Sequence, residues 1–122
     1  APRRGESPGM RYLHLRAHLQ HVRAAYPDLA AVFYEQAHHR GGAATEYAVG
    51  CVATVQAWCA EHSIEHAAVH SATIKKHATG KGNAPKDAVM AAMRRLGFTP
   101  GDDNEADALA LLDWAFAQGG AR

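Results

Sequence analysis

The sequence predicts an α/β domain built around a βαβ unit, on three observations. Two short runs read as strands: 29–34, continuously apolar with the length and flanks of a buried strand, and 64–70. Between them, 43–61 is a long Ala-rich stretch of helical length, and two parallel strands need such a crossover. Beyond the second run the pattern turns helical, punctuated by Gly80, Gly97 and Pro100. A length of 122 residues and 13.1 kDa suits one domain spanning 1–122. A composition 48% hydrophobic and 20% charged excludes a disordered or fibrous chain.

Each element has a local reason. Residues 1–9 are rich in Pro, Gly and Arg and read as a loop. From Met10 the apolar positions Leu13, Leu15, Leu19 and Val22 fall at helical steps, and the helix stops at Tyr26, because a residue before proline disfavours the α region. The first strand covers 29–34, the polar turn 36–42, the Ala-rich helix 43–61 and the second strand 64–70. Ser71 is the expected N-cap of a short helix that ends before Gly80. The stretch 80–84 reads as a flexible basic loop, and Pro85 suits the first turn of a helix that runs to Leu96 and stops at Gly97. A last helix covers 104–118, with Asp102 or Asp103 at its start. Two parallel strands bury both faces of a sheet poorly, so further strands are expected, with Val32, Phe33, Ala68 and Val69 under-buried without them.

Several classes are excluded. No apolar run approaches the ~20 residues of a membrane span. The start, Ala1-Pro2-Arg3-Arg4-Gly5, carries no apolar stretch after its arginines and does not read as a secretion signal. Cys51 and Cys59 lie eight residues apart on one predicted helix, about 12 Å along its axis, too far to bridge. A reducing, cytoplasmic setting is expected. His14, His18 and His21 share a helical face, but no evident fourth ligand or catalytic partner accompanies them, so an exposed polar face explains them better than zinc. Neither a Walker A loop nor a dinucleotide fingerprint is present around Gly80-Lys81-Gly82.

Charge is near balance overall, at a formal net +1, but it is unevenly spread. Residues 1–26 carry net +4, residues 71–95 net +5, and residues 101–122 net −4. Basic segments beside a compact acidic one suit an enzyme acting on nucleic acid, with cations gripping phosphates and carboxylates holding metal. On charge alone, solvated faces of unrelated charge are the default reading. Glu35 stands at the C-terminal end of the first strand, where functional groups gather in parallel sheets. Asp103 and Asp107 are four apart on the last helix, and Asp107 abuts an apolar run, where an acid costs free energy unless paired or metal-bound.

Two segments, Ile74-Lys75-Lys76-His77-Ala78-Thr79-Gly80-Lys81-Gly82-Asn83-Ala84-Pro85-Lys86 and Asn104-Glu105-Ala106-Asp107-Ala108-Leu109-Ala110, resemble the C-terminal half of RuvC-type Holliday-junction resolvases. The resemblance extends over most of 29–115 and looks nearest to the phage and prophage branch. It implies a ribonuclease-H-like fold and a Mg²⁺-dependent endonuclease (Mn²⁺ a possible substitute) that cleaves four-way junctions in DNA recombination, working as a homodimer. It implies that Glu35 and Asp107 bind metal and that Lys75 and Lys86 lie near the scissile phosphate. His38 falls where the family often has an aromatic that engages the junction centre; Arg40, Lys76 and Lys81 join it as expected DNA contacts.

Two departures stand out. Where the bacterial enzymes carry an Asp three residues before the last metal ligand, this chain has Asn104, whose carbonyl, or the neighbouring Asp103, is the expected replacement. The family's first strand bears an essential Asp, and no such strand is legible here, so the expectation is a chain that begins after the first strands. The alternative to an active enzyme is a DNA-binding remnant that keeps the lysines without holding both metals.

Overall fold

A computed structural model describes residues 7–36 and 42–119. Its elements are α1 (Pro8–Ala25), β1 (Ala31–Glu35), α2 (Gly42–Glu61), β2 (Glu65–Val69), α3 (Ser71–Thr79), α4 (Lys86–Arg95) and α5 (Asp103–Gly119). Among the described residues β1 and β2 make one two-stranded sheet. It is parallel: the Ala30 carbonyl accepts from the Glu65 amide (3.2 Å) at one end, and the Val69 carbonyl from the Gln36 amide (2.8 Å) at the other.

The described residues fall into two compact units. One holds those up to Val32 and from Gly42 to His66; the other holds Phe33–Gln36 and those from Ala67 onward. In the first, Trp58, Cys59 and Ile64 are buried, with Leu19, Leu29, Val32 and Val55 against them. Tyr12 of α1 stacks on Tyr47 of α2, with ring centroids 5.7 Å apart. This needs a glycine at position 50, where any Cβ would overlap the Tyr12 phenol. An Arg16–Glu61 ion pair also joins the two helices.

The second unit buries Val69, Ile74, Val89, Ala92, Met93, Ala106 and Ala110. Val89, Ala92 and Met93 recur at three- and four-residue steps on α4, and Ala106 and Ala110 at a four-residue step on α5. The small alanines let α4 and α5 approach closely, and Ala78, Met90, Phe98, Leu109, Leu111 and Trp114 pack around this core. His77 of α3 and Asp113 of α5 pair at 2.8 Å.

The expected order of helices and strands is the observed one, and the differences lie at element ends. The first helix begins at Pro8, not Met10: Ser7 caps it, its Oγ accepting from the Met10 amide at 3.2 Å, and proline fits the first turn. The strands are shorter than expected. Ile64 belongs to the close of α2, its amide bonded to the Cys59 carbonyl (2.8 Å), and His70 to the start of α3. The α3 N-cap is His70, not Ser71, with Nδ1 accepting from the Ala72 amide at 3.0 Å. The loop after α3, expected to be flexible, is hydrogen-bonded: the Thr79 hydroxyl donates to the Lys75 carbonyl (2.8 Å), and Oγ1 accepts from the Lys81 amide (3.2 Å). Of the four residues expected to be under-buried, Phe33 and Ala68 are exposed and Val32 half-buried. Val69 instead is buried, because it packs into the helical core of the second unit.

Candidate active site

The second unit carries a cleft assembled from three elements. β1 ends at Glu35, whose exposed side chain leaves the C-terminal edge of the sheet. From α3 come Ser71, Ile74 and Lys75, at steps of three and four that set them on one face. From α5 come Asn104, Asp107, Ala108 and Leu111, again one face by the same spacing. The wider part of the cleft has a volume of about 240 Å³ and is lined by Glu35, Ile74, Asn104, Asp107, Ala108 and Leu111. Its narrower part, about 10 Å³, is lined by Glu35, Ser71, Ile74, Lys75 and Asp107.

Asp107 is held half-buried beside the fully buried Ala106, and partial burial is why its carboxyl titrates above the usual carboxylate range. The ammonium groups of Lys75 and Lys86 pull it back down, while Asp103 raises it further. Asp103 behaves in the opposite way. Lys86 Nζ stands 3.1 Å from its Oδ2, and that contact, helped by backbone amides at the start of α5, holds its carboxyl below the usual range. The α5 N-cap is Asp102, whose Oδ1 accepts from the Glu105 amide at 2.8 Å.

Of the site residues named from the sequence, the structure brings Glu35, Lys75, Asn104 and Asp107 to one cleft. Asp103 and Lys86 pair with each other at the starts of α5 and α4 and do not line it. Lys76 and Lys81 are exposed on α3 and its following loop. His38 and Arg40 lie outside the described residues. Ser71 is the polar lining residue that sequence reasoning missed as a site residue, because its position before a helical pattern suggested only a cap. Its spacing of four from Lys75 was the available signal.

The donors are all hard oxygens: two carboxylates and the side-chain carbonyl of Asn104. That set fits a divalent ion such as Mg²⁺, which is usually bound through one or two carboxylates and keeps several waters. Among the described residues no group of three or more His, Cys, Asp or Glu side chains converges.

No protein-family model matches this chain, and no curated protein matches it. Solved structures do. The chain is similar to the Thermus thermophilus RuvC structure at a TM-score of 0.72 and 22% identity, covering 98% of this chain and 75% of that one. It is also similar to T. thermophilus RuvC in complex with Holliday junction substrate, at a TM-score of 0.75 and 24% identity, covering 90% of this chain and 68% of that one. So low an identity speaks to architecture alone, and by it this chain has the fold of RuvC, as the two sequence segments around Lys75 and Asp107 implied.

Proposed function

We propose that this chain is a ribonuclease-H-like, Mg²⁺-dependent endonuclease that cleaves four-way DNA junctions by phosphodiester hydrolysis, acting as a homodimer in the cytoplasm. The observation that carries the reading is the cleft of the second unit, where Glu35 and Asp107 share one space with Lys75, in a fold shared with a protein solved on Holliday junction substrate. Glu35, Asp107 and the Asn104 carbonyl would hold the ion, with Mn²⁺ able to substitute. When bound, it supplies the charge that activates a water and stabilises the leaving oxygen. Lys75 stabilises the charge that grows on the phosphate as the water oxygen bonds to phosphorus and the bond to the leaving oxygen breaks. Lys76, Lys81 and Lys86 hold flanking phosphates. Two-fold symmetry of a dimer would set one site on each of two opposed strands.

A second reading has its own support. With two carboxylates on the cleft and Asn104 in place of a third, the chain could hold junction DNA without cutting it. One experiment separates the two. Labelled four-way junction and matched duplex are incubated with the protein in Mg²⁺, in Mn²⁺ and in EDTA. Metal-dependent nicking of the junction in preference to duplex supports the enzyme. Junction-selective binding without nicking supports the remnant, and equal affinity for both DNAs overturns junction recognition.

A further inference from the structure

Among the described residues the fold makes no use of the hydroxyl of Ser71. Ser71 opens α3, but the capping work is done by its neighbour: His70 takes the Ala72 amide on Nδ1 (3.0 Å) and the Thr73 and Ile74 amides on its carbonyl (3.0 and 3.2 Å). Among the described residues no hydrogen bond engages the Ser71 hydroxyl. The residue is half-buried and lines the narrower part of the cleft with Glu35, Ile74, Lys75 and Asp107. Four residues separate it from Lys75, which sets the two one above the other on the same face of α3.

This narrower part thus has polar groups of two kinds. Glu35 and Asp107 accept and carry negative charge; Ser71 and Lys75 donate, and one of them carries positive charge. The space of about 10 Å³ among them matches one water-sized group. A cation there is served by the carboxylates and repelled by the ammonium. An anionic oxygen is the partner that a hydroxyl and an ammonium on one helix face can share.

We propose that Ser71 is a phosphate-binding residue of this site, its hydroxyl donating a hydrogen bond to a non-bridging oxygen of the phosphodiester that Lys75 holds by charge. The inference rests on the reading of the cleft as a DNA phosphate site and adds to it a neutral, directional contact. Being neutral, the hydroxyl displaces no counterion, so its loss changes affinity without changing salt dependence.

The test is a binding titration in Ca²⁺, by fluorescence anisotropy, on a four-way junction and on matched duplex across a salt series. The proteins are the wild type, Ser71→Ala, Ser71→Thr, Lys75→Ala and the Ser71→Ala/Lys75→Ala pair, each checked by thermal melting. Ser71→Ala should weaken binding about 3- to 10-fold, the range of one hydrogen bond, with an unchanged slope of log Kd against log salt. Ser71→Thr, which keeps the hydroxyl, should bind like the wild type. Lys75→Ala should flatten the slope by about one phosphate contact. The double variant should lose less than the product of the single losses, because both groups hold one phosphate; a merely structural serine would give independent losses. The proposal is overturned if Ser71→Ala binds like the wild type, or if Ser71→Thr is as weak as Ser71→Ala. A wild type without junction preference ends the resolvase reading alone, since the same contrast on duplex still decides the Ser71 contact. A wild type that binds neither DNA ends both.

Discussion

Asp107 combines the features expected of a working acid: a half-buried position, a titration pushed up by desolvation, and lysines near enough to offset part of the cost. Because its folded-state pKa lies above the unfolded one, the native state binds more proton between the two, and stability falls as pH rises through that window. At neutral pH the ionised carboxylate is therefore a net burden on the fold. Asp107→Asn should melt at or above the wild-type temperature at pH 7 without metal, the difference shrinking as pH falls through that window and gone below the unfolded pKa of about 3.9, where the carboxyl is protonated in both states. The same change should cost at least ~10²-fold in metal-dependent cleavage, more than the 10- to 100-fold typical of a group one step removed from the ion, and leave junction binding intact. A lower melting point together with unchanged cleavage would contradict both halves. Asp103 has the opposite sign. Its stabilising contact with Lys86 is present above the unfolded pKa and lost as acid protonates it, and its exposed setting leaves it open to screening by salt. Lys81, exposed in the loop after α3, is a simpler case: Lys81→Ala should weaken junction binding and lower the salt slope by about one unit. An unchanged slope would remove it from the DNA-binding surface.

At the scale of elements, helix ends hold the best-defined local chemistry. α4 closes in a Schellman motif: the Phe98 amide reaches the Met93 carbonyl (3.1 Å), the Gly97 amide reaches that of Arg94 (3.0 Å), and Gly97 takes the left-handed conformation at φ +97. α2 closes in the same way, with Ile64 bonded to Cys59 and Ser63 to Ala60, but a serine occupies the left-handed position at φ 56. That conformation costs an L-residue roughly 1–2 kcal/mol, of which glycine's greater freedom in the unfolded chain returns about half. Ser63→Gly should stabilise by about 0.5–1 kcal/mol and raise the melting temperature by roughly 3 °C, read by calorimetry. A drop in melting temperature would mean that Ser63 makes a contact worth more than its strain. The His77–Asp113 pair ties α3 to α5, so the helices that carry Lys75 and Asp107 are fixed to each other by a polar contact as well as by the Ile74–Ala110 core.

For the whole molecule, the described sheet has two strands, and Phe33 on β1 remains 37% exposed although its ring meets Trp114 edge-on at 5.9 Å. Leu112 and Phe116 of α5 are also exposed. Apolar groups of this size left open in a sheet-and-helix unit favour association. If cleavage needs a further carboxylate from a preceding strand, then a chain extended by an upstream hairpin bearing an Asp should melt higher. It should also nick junctions faster in Mg²⁺ than these 122 residues do. Equal melting temperatures and equal nicking rates would show that Glu35 and Asp107 work with groups already present.

Much of this was legible in the sequence. Local rules determine the helices and strands: apolar periodicity, the stop before Pro27, the glycines after α3 and α4, and the two short strand segments of a βαβ unit each depend on neighbours within a turn or two. The lysines and acids that matched a family pattern likewise stood in the linear order, Lys75 in one segment and Asp107 in another. What only the tertiary structure decided is which of them meet. Glu35, Ser71, Lys75 and Asp107 share a cleft because a strand end and two helices converge there, whereas Asp103, four residues from Asp107, turns instead to Lys86. Capping was decided there too: Ser71 had the right chemistry for the helix start, but the chain placed His70 on the cap. That left Ser71 to line the cleft, since one helix end accommodates one N-cap and packing chooses between adjacent candidates.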